Sequence, residues 1–137
     1  MRRVLVDTGP LVAILSRADQ YHETCVEALR HLPAPLLSCW PVITEAVWLL
    51  RAYPRAVERL LGSIGGGFLD LLPLAAGEAK PIAALMKRYE NIRPQLADAA
   101  LVHLAGREKI DTIFTLDRRD FAVYRSARKT RFRIVPG

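Results

Sequence analysis

The sequence predicts an α/β protein, a three-layer α/β/α sandwich built on a mainly parallel five-stranded sheet, as one domain over residues 1–137. Three observations lead there. Five short apolar runs recur along the chain, segments with helical spacing of apolar residues separate them, and no hairpin turn joins one run to the next. With 137 residues the chain is long enough to bury a real core and too short for two full-sized domains. Its 51% hydrophobic and 25% charged residues match globular averages, which excludes disordered, collagen-like and low-complexity classes.

The elements follow in order. Val4-Leu5-Val6 reads as a buried strand, and Asp7-Thr8-Gly9-Pro10 turns it into a helix with proline near the first turn. Tyr21 to Leu32 carries apolar residues at helical spacing and stops before Pro33-Ala34-Pro35, after which Leu36 to Cys39 is a second strand. Pro41 begins a helix through Leu50, extending toward Tyr53, and Pro54 to Leu61 forms another. Gly62 to Gly67 is a plain loop, because its glycines lack the Gly-Lys-Ser/Thr ending of a phosphate cradle. Phe68 to Leu72 is the third strand, Ala75 to Tyr89 a helix, and Pro94 opens a further helix through Leu96 to Ala105. Thr112 to Thr115 and Phe132 to Val135 are the fourth and fifth strands.

Several classes drop out. The longest apolar runs, such as Ala97 to Ala105, are interrupted by Asp98 and His103 and fall short of the ~20 residues that span a bilayer, so no membrane partner is expected. Arg2-Arg3 before Val4-Leu5-Val6 could open a secretory signal, but Asp7 and Pro10 break any apolar region and no small-residue cleavage site follows. Cys25 and Cys39 make neither a disulfide framework nor a C-x-x-C pair, and both suit small semi-buried hydrophobes. A cytoplasmic protein with reduced thiols is the expectation.

The net charge is +6, and its placement says more than its size. Residues 1–117 hold 13 basic and 13 acidic groups, whereas the last twenty residues hold Arg118, Arg119, Arg125, Arg128, Lys129, Arg131 and Arg133 against Asp120 alone. Such a segment attracts polyanions, nucleic acid foremost in a cytoplasm; a solvated tail or surface helix is the alternative.

Four of the 14 carboxylates stand apart from charged or turn-rich surroundings. Asp7 follows the first strand, Glu45 is the only ionisable residue between Pro41 and Leu50, Asp98 lies in an almost wholly apolar helix, and Asp117 follows the fourth strand. A buried, unpaired carboxylate loses several kcal/mol or takes up a proton, so each needs a partner. In an open parallel sheet the functional crevice lies beyond the C-terminal strand ends at the switch of strand order. All four acids can reach that rim. An all-oxygen set of this kind suits Mg²⁺ or Mn²⁺ rather than zinc. Other readings stay open: Asp7 and Asp117 as helix caps, Glu45 and Asp98 each against a buried arginine, and Asp120 as an outer acid or a cap for Phe121-Ala122-Val123.

Four segments in this order resemble the PIN-domain family, and within it the small VapC-type toxin ribonucleases. They are Val4 to Ala13, Val42-Ile43-Thr44-Glu45-Ala46-Val47-Trp48-Leu49-Leu50, Leu96-Ala97-Asp98-Ala99-Ala100-Leu101, and Thr115-Leu116-Asp117-Arg118-Arg119-Asp120-Phe121. Each is weak alone; together they span essentially the whole chain. The resemblance implies Mg²⁺- or Mn²⁺-dependent hydrolysis of RNA phosphodiester bonds, with Asp7, Glu45, Asp98 and Asp117 as the catalytic, metal-binding acids and Thr8 and Thr115 lining their pocket. Related sequences put the fourth acid at either end of the segment from Asp117 to Asp120. A homodimer neutralised by a small antitoxin protein is also implied. Arg118 and Arg119 are candidates for holding the RNA backbone, with a solvated face as their alternative.

Rival classes make different demands. A haloacid-dehalogenase-like phosphatase also places an aspartate after its first strand, but it needs a second acid close by and a late lysine; Thr8-Gly9 follows here, and only arginines follow the fourth strand. A non-catalytic RNA-binding module would leave the four acids idle. A DNA-directed nuclease of the same fold is the nearer alternative.

Overall fold

The computed structural model describes residues 2–137. Strands β1 (Val4–Val6), β2 (Leu36–Ser38), β3 (Leu69–Leu71), β4 (Thr112–Phe114) and β5 (Arg133–Val135) form one sheet in the order β3-β2-β1-β4-β5, with every neighbouring pair parallel. Leu5 in the centre faces Leu37 on one side and Ile113 on the other. Among the described residues seven α-helices flank the sheet: α1 (Thr8–Leu15), α2 (His22–Leu29), α3 (Trp40–Leu49), α4 (Pro54–Gly62), α5 (Ala79–Arg88), α6 (Leu96–Glu108) and α7 (Arg118–Val123). The expected parallel sandwich is the observed architecture, and all five strands fall inside the segments that the apolar runs mark.

Burial sorts centre from edge. β1, β2 and β4 are buried at every residue, as strands covered on both faces must be, and they read VLV, LLS and TIF. β3 and β5 expose Asp70 and Arg133, polar residues that suit sheet edges. The chain leaves β1 toward β2 and β3, then returns to lay β4 and β5 on the opposite side. The strand order therefore reverses between β1 and β4, and their C-terminal ends open the crevice of such a sheet.

Helix boundaries differ from the periodicity for local reasons. The segment Ala75 to Tyr89 divides into a single 3₁₀ turn, Ala76–Glu78, and α5. Pro81 sits in the first turn of α5, where its missing N–H needs no partner inside the helix, and because it cannot bond the Gly77 carbonyl the α-helical bonding starts no earlier than Ala79. α6 starts at Leu96 rather than at Pro94, because Gln95 holds the extended backbone of an N-cap (φ −80°, ψ 164°). α3 begins one residue before Pro41 and ends at Leu49. The glycine loop is a turn: Gly65 and Gly67 have φ of 80° and 93°, which a side chain disfavours.

Two further contacts fix the helical layers. Tyr124 is buried edge-on against Tyr89 and Phe121, with ring centres 5.1 and 5.0 Å away. The Glu78 carboxylate accepts from the Ala75 N–H at 2.7 Å and lies 2.7 Å from His103 Nε2 and 2.6 Å from Arg107, which ties the start of α5 to α6. The Ala75 N–H first, then His103 and Arg107, hold this carboxyl down to about 2. His103 thus has a partner of its own, away from the acids. Cys25 and Cys39 are buried free thiols, pushed up to about 11 and about 12 chiefly by burial, and they pack as hydrophobes. No helix among the described residues is long and apolar enough to cross a membrane.

Leu5 sits fully buried at the middle of the central strand. Leu5→Ala is expected to lower unfolding free energy in urea by about 2–5 kcal/mol; a loss under about 1 kcal/mol would show that β1 is not the packed centre.

Candidate functional site

A pocket of about 520 Å³ opens at the C-terminal ends of β1 and β4, walled by Asp7, Thr8, Gly9, Glu45, Leu49, Arg93, Gln95, Asp98, Leu116, Asp117 and Asp120. The four acids singled out in the sequence, with Asp120 and Thr8, are thereby brought together from four segments of the chain. Thr115 lies directly behind them.

Each acid is seated by the local structure that the strand or helix end creates. Where β1 ends, the Asp7 N–H still bonds the Phe114 carbonyl at 2.9 Å. Its carboxylate caps α1, accepting the Thr8 N–H at 2.8 Å, and accepts the Thr115 hydroxyl at 2.9 Å. The same hydroxyl accepts the Asp117 N–H at 3.0 Å, so one buried threonine sets two acids at once. Thr8 donates its hydroxyl to Glu45 Oε1 at 2.6 Å, across from α1 to α3. Asp98, in the first turn of α6, accepts the Gln95 N–H at 2.9 Å. Asp117 caps α7 by accepting the Asp120 N–H at 3.2 Å. For Asp7 and Asp117, cap and pocket residue are thus the same group. A carboxylate has about four acceptor directions, and these bonds leave some of them free.

None of the five acids forms an ion pair among the described residues. Their charge is left to repel itself in a partly dry pocket. Burial pushes Asp7 up to about 7, with Asp98 and Glu45 adding to the rise against the hydrogen bonds from Thr8 and Thr115. Burial also pushes Asp98 up to about 6, reinforced by Asp117, Glu45 and Asp120. Asp120 is raised by burial and by its neighbour Asp117. Buried arginine partners for Glu45 and Asp98, one of the open readings, are not formed among the described residues.

Oxygen donors without a cationic partner are the kind of group that a hard divalent cation neutralises. The cluster's donors are oxygens only, and its members still lack positive charge. Among the described residues no three His, Cys, Asp or Glu side chains form a ready-made cage around one point. Asp7 and Asp98, with Glu45, Asp117 and Asp120 beyond them, are the groups able to hold such a cation.

The two arginines expected beside the acids do not line the pocket. Arg118 donates to the Pro136 carbonyl, and Arg119 is exposed on α7. A third arginine, which the sequence reading passed over, does line it. Arg93 ends the 3₁₀ turn Glu90–Ile92 with left-handed backbone (φ 52°, ψ 59°). For a residue with a side chain that conformation costs roughly 1–2 kcal/mol, and the following Pro94 ordinarily favours extended backbone there. Arginine before proline gives no warning of it. A clue lay only in the short spacing from Arg93 to Asp98.

The fold and the acid crevice define a class, and comparison with known proteins names it. Residues 4–126 match the PIN domain family, and the chain belongs to that family. Ribonuclease VapC26 of Mycobacterium tuberculosis is 31% identical over 135 residues, covering 97% of this chain and 100% of that protein. The crystal structure of Mycobacterium tuberculosis VapC20, a sarcin-ricin loop cleaving toxin, superposes with a TM-score of 0.79 at 16% identity over 88% of this chain and 94% of the other. That second likeness is one of fold.

The raised acids make a stability prediction. A carboxylate whose pKa is higher folded than unfolded binds protons more readily in the native state, so its stabilising contribution is full below about pH 4 and is lost as pH rises toward 7. In chelator at about pH 8, Asp7→Asn is expected to be more stable than wild type by on the order of 1–4 kcal/mol, at ~1.4 kcal/mol per pKa unit. The advantage should shrink toward about pH 4. Urea denaturation at several pH values measures it, and a pH-independent difference would contradict the electrostatic account.

Proposed function

We propose that the chain is a divalent-metal-dependent endoribonuclease, a hydrolase of RNA phosphodiester bonds acting as one PIN-like domain over residues 1–137, and the toxin of a type II toxin–antitoxin pair. The observation that carries this reading is the pocket of uncompensated carboxylates at the β1/β4 reversal, in a chain 31% identical over nearly its full length to a protein named Ribonuclease VapC26.

A bound Mg²⁺ or Mn²⁺ would neutralise the acids, lower the pKa of water and stabilise charge on phosphate oxygens. The chain's own residues do the rest. Asp7 and Asp98 are the principal ligands, since burial pushes both carboxyls well up and a cation would relieve that cost. Thr115 fixes the Asp7 carboxylate and the Asp117 backbone, and Thr8 fixes Glu45, so the ligands are held before any ion arrives. Glu45 and Asp117 orient the attacking water and accept its proton, with Asp120 as the outer acid. Arg119 and Arg118 add positive charge beside the pocket, and Arg128, Lys129, Arg131 and Arg133 extend the exposed basic segment along which RNA can be drawn in.

The proposed partners are the RNA, a small antitoxin protein and a second copy of this chain, in the cytoplasm. Support for the homodimer comes from α3 and α6, where Trp40, Trp48 and Leu96 are more than half exposed and line an apolar groove of about 500 Å³ with Pro41 and Ala97. A monomer rarely leaves such a patch bare. Replacing Trp40 and Trp48 together by glutamate is expected to halve the mass seen by light scattering; an unchanged mass would remove this face as the interface.

The function itself is tested by cleavage. Asp7→Asn and Asp98→Asn are expected to cut RNA on the order of 10²-fold more slowly in Mg²⁺ or not at all, with circular dichroism unchanged. Chelation should stop the wild type, and DNA should compete poorly as substrate. Mutants that cut RNA at the wild-type rate would overturn the assignment, and binding without cleavage under every metal condition would favour a non-catalytic module.

A further inference from the structure

We propose that Arg93 binds a non-bridging phosphate oxygen of the RNA at the wall of the acid pocket and positions the strand there, an inference that rests on the ribonuclease reading. Among the residues lining that pocket it is the one with a cationic side chain, against five carboxylates. A phosphodiester approaching those acids meets repulsion, which a cation held by them would offset in part. A guanidinium on the wall supplies the second positive contact, and its planar fork matches phosphate geometry.

Three structural facts single it out from the other arginines. Among the described residues the Arg93 side chain, which is exposed, has neither a hydrogen bond nor an ion pair. Arg118 is engaged by the Pro136 carbonyl and Arg125 by the carbonyls of Ala122, Val123 and Tyr124 at 2.8, 3.0 and 2.9 Å, while Arg119, also unpaired among the described residues, stands outside the pocket lining. The backbone at Arg93 is held in the left-handed region by its N–H bond to the Glu90 carbonyl at 3.1 Å. Only two residues separate it from Leu96, the start of α6, and the Gln95 N–H between them is the donor that seats Asp98. One bend therefore places both the arginine and a principal acid. Lys109 and Lys129 share the left-handed backbone, so what sets Arg93 apart is that its bend carries an unpaired cation to the pocket wall.

The test uses Arg93→Gly, Arg93→Lys and wild type in Mg²⁺, with a short mixed-sequence RNA oligonucleotide library as substrate. Glycine adopts the left-handed backbone freely, so the folded state is preserved, and thermal stability should be equal or higher. Arg93→Gly is expected to raise KM about tenfold with a smaller change in kcat, and to flatten the slope of log KM against log salt by about 0.7, the value of one phosphate contact on a single strand. Arg93→Lys should recover part of the affinity and most of the salt slope. A glycine variant with wild-type KM and slope overturns the inference while leaving the ribonuclease reading intact. A wild-type chain that cuts no RNA overturns both.

Discussion

The structure turns on charge that the protein does not neutralise for itself. Asp7, Glu45, Asp98, Asp117 and Asp120 wall one pocket at the β1/β4 reversal, and no lysine or arginine among the described residues pairs with any of them. Burial and mutual repulsion lift Asp7 to about 7 and Asp98 to about 6. A group of groups in that condition either takes up protons or takes up a cation, and the two compete over the pH range in which the chain would work. Under the proposed function, the same uncompensated charge would both favour a hard cation and lower stability without one.

What holds the acids in place is the ordinary machinery of strand and helix ends. Asp7 and Asp117 cap α1 and α7 with hydrogen bonds to Thr8 and Asp120, while Asp98 closes back on Gln95 at the start of α6. Helix N-termini present unpaired N–H groups and partial positive charge, which steadies carboxylates that would otherwise repel one another apart. The hydroxyls of Thr8 and Thr115 then link acids from separate segments. Local capping and the central crossing of a parallel sheet thus become the geometry of a site. The same sheet topology recurs in VapC20, at an identity where only architecture is shared.

Much of this was legible in the sequence. Val4-Leu5-Val6 and Thr112-Ile113-Phe114 announce buried strands by their mainly apolar character, and the acids that follow, Asp7 directly and Asp117 three residues on, land at the crevice once the order reverses between them. Glu45 and Asp98 stood out because an ionisable group in an apolar helix needs a reason. Periodicity overran the helices where single residues decide: Pro81 interrupts hydrogen bonding at the head of α5, and extended Gln95 delays α6 past Pro94. Which arginine stands on the pocket wall was not legible in the sequence. Nearness to Asp117 favoured Arg118 and Arg119, whereas the fold directs Arg118 to the Pro136 carbonyl and carries Arg93 to the wall through a left-handed turn that no composition signals.

The account stands or falls on a cation binding among these carboxylates. The most direct measurement is anomalous scattering from a crystal soaked in Mn²⁺. The account predicts a peak in the β1/β4 crevice within about 2–2.5 Å of carboxylate oxygens of Asp7 and Asp98. Soaked crystals with no peak in the crevice, or with Mn²⁺ bound only elsewhere on the surface, would contradict it.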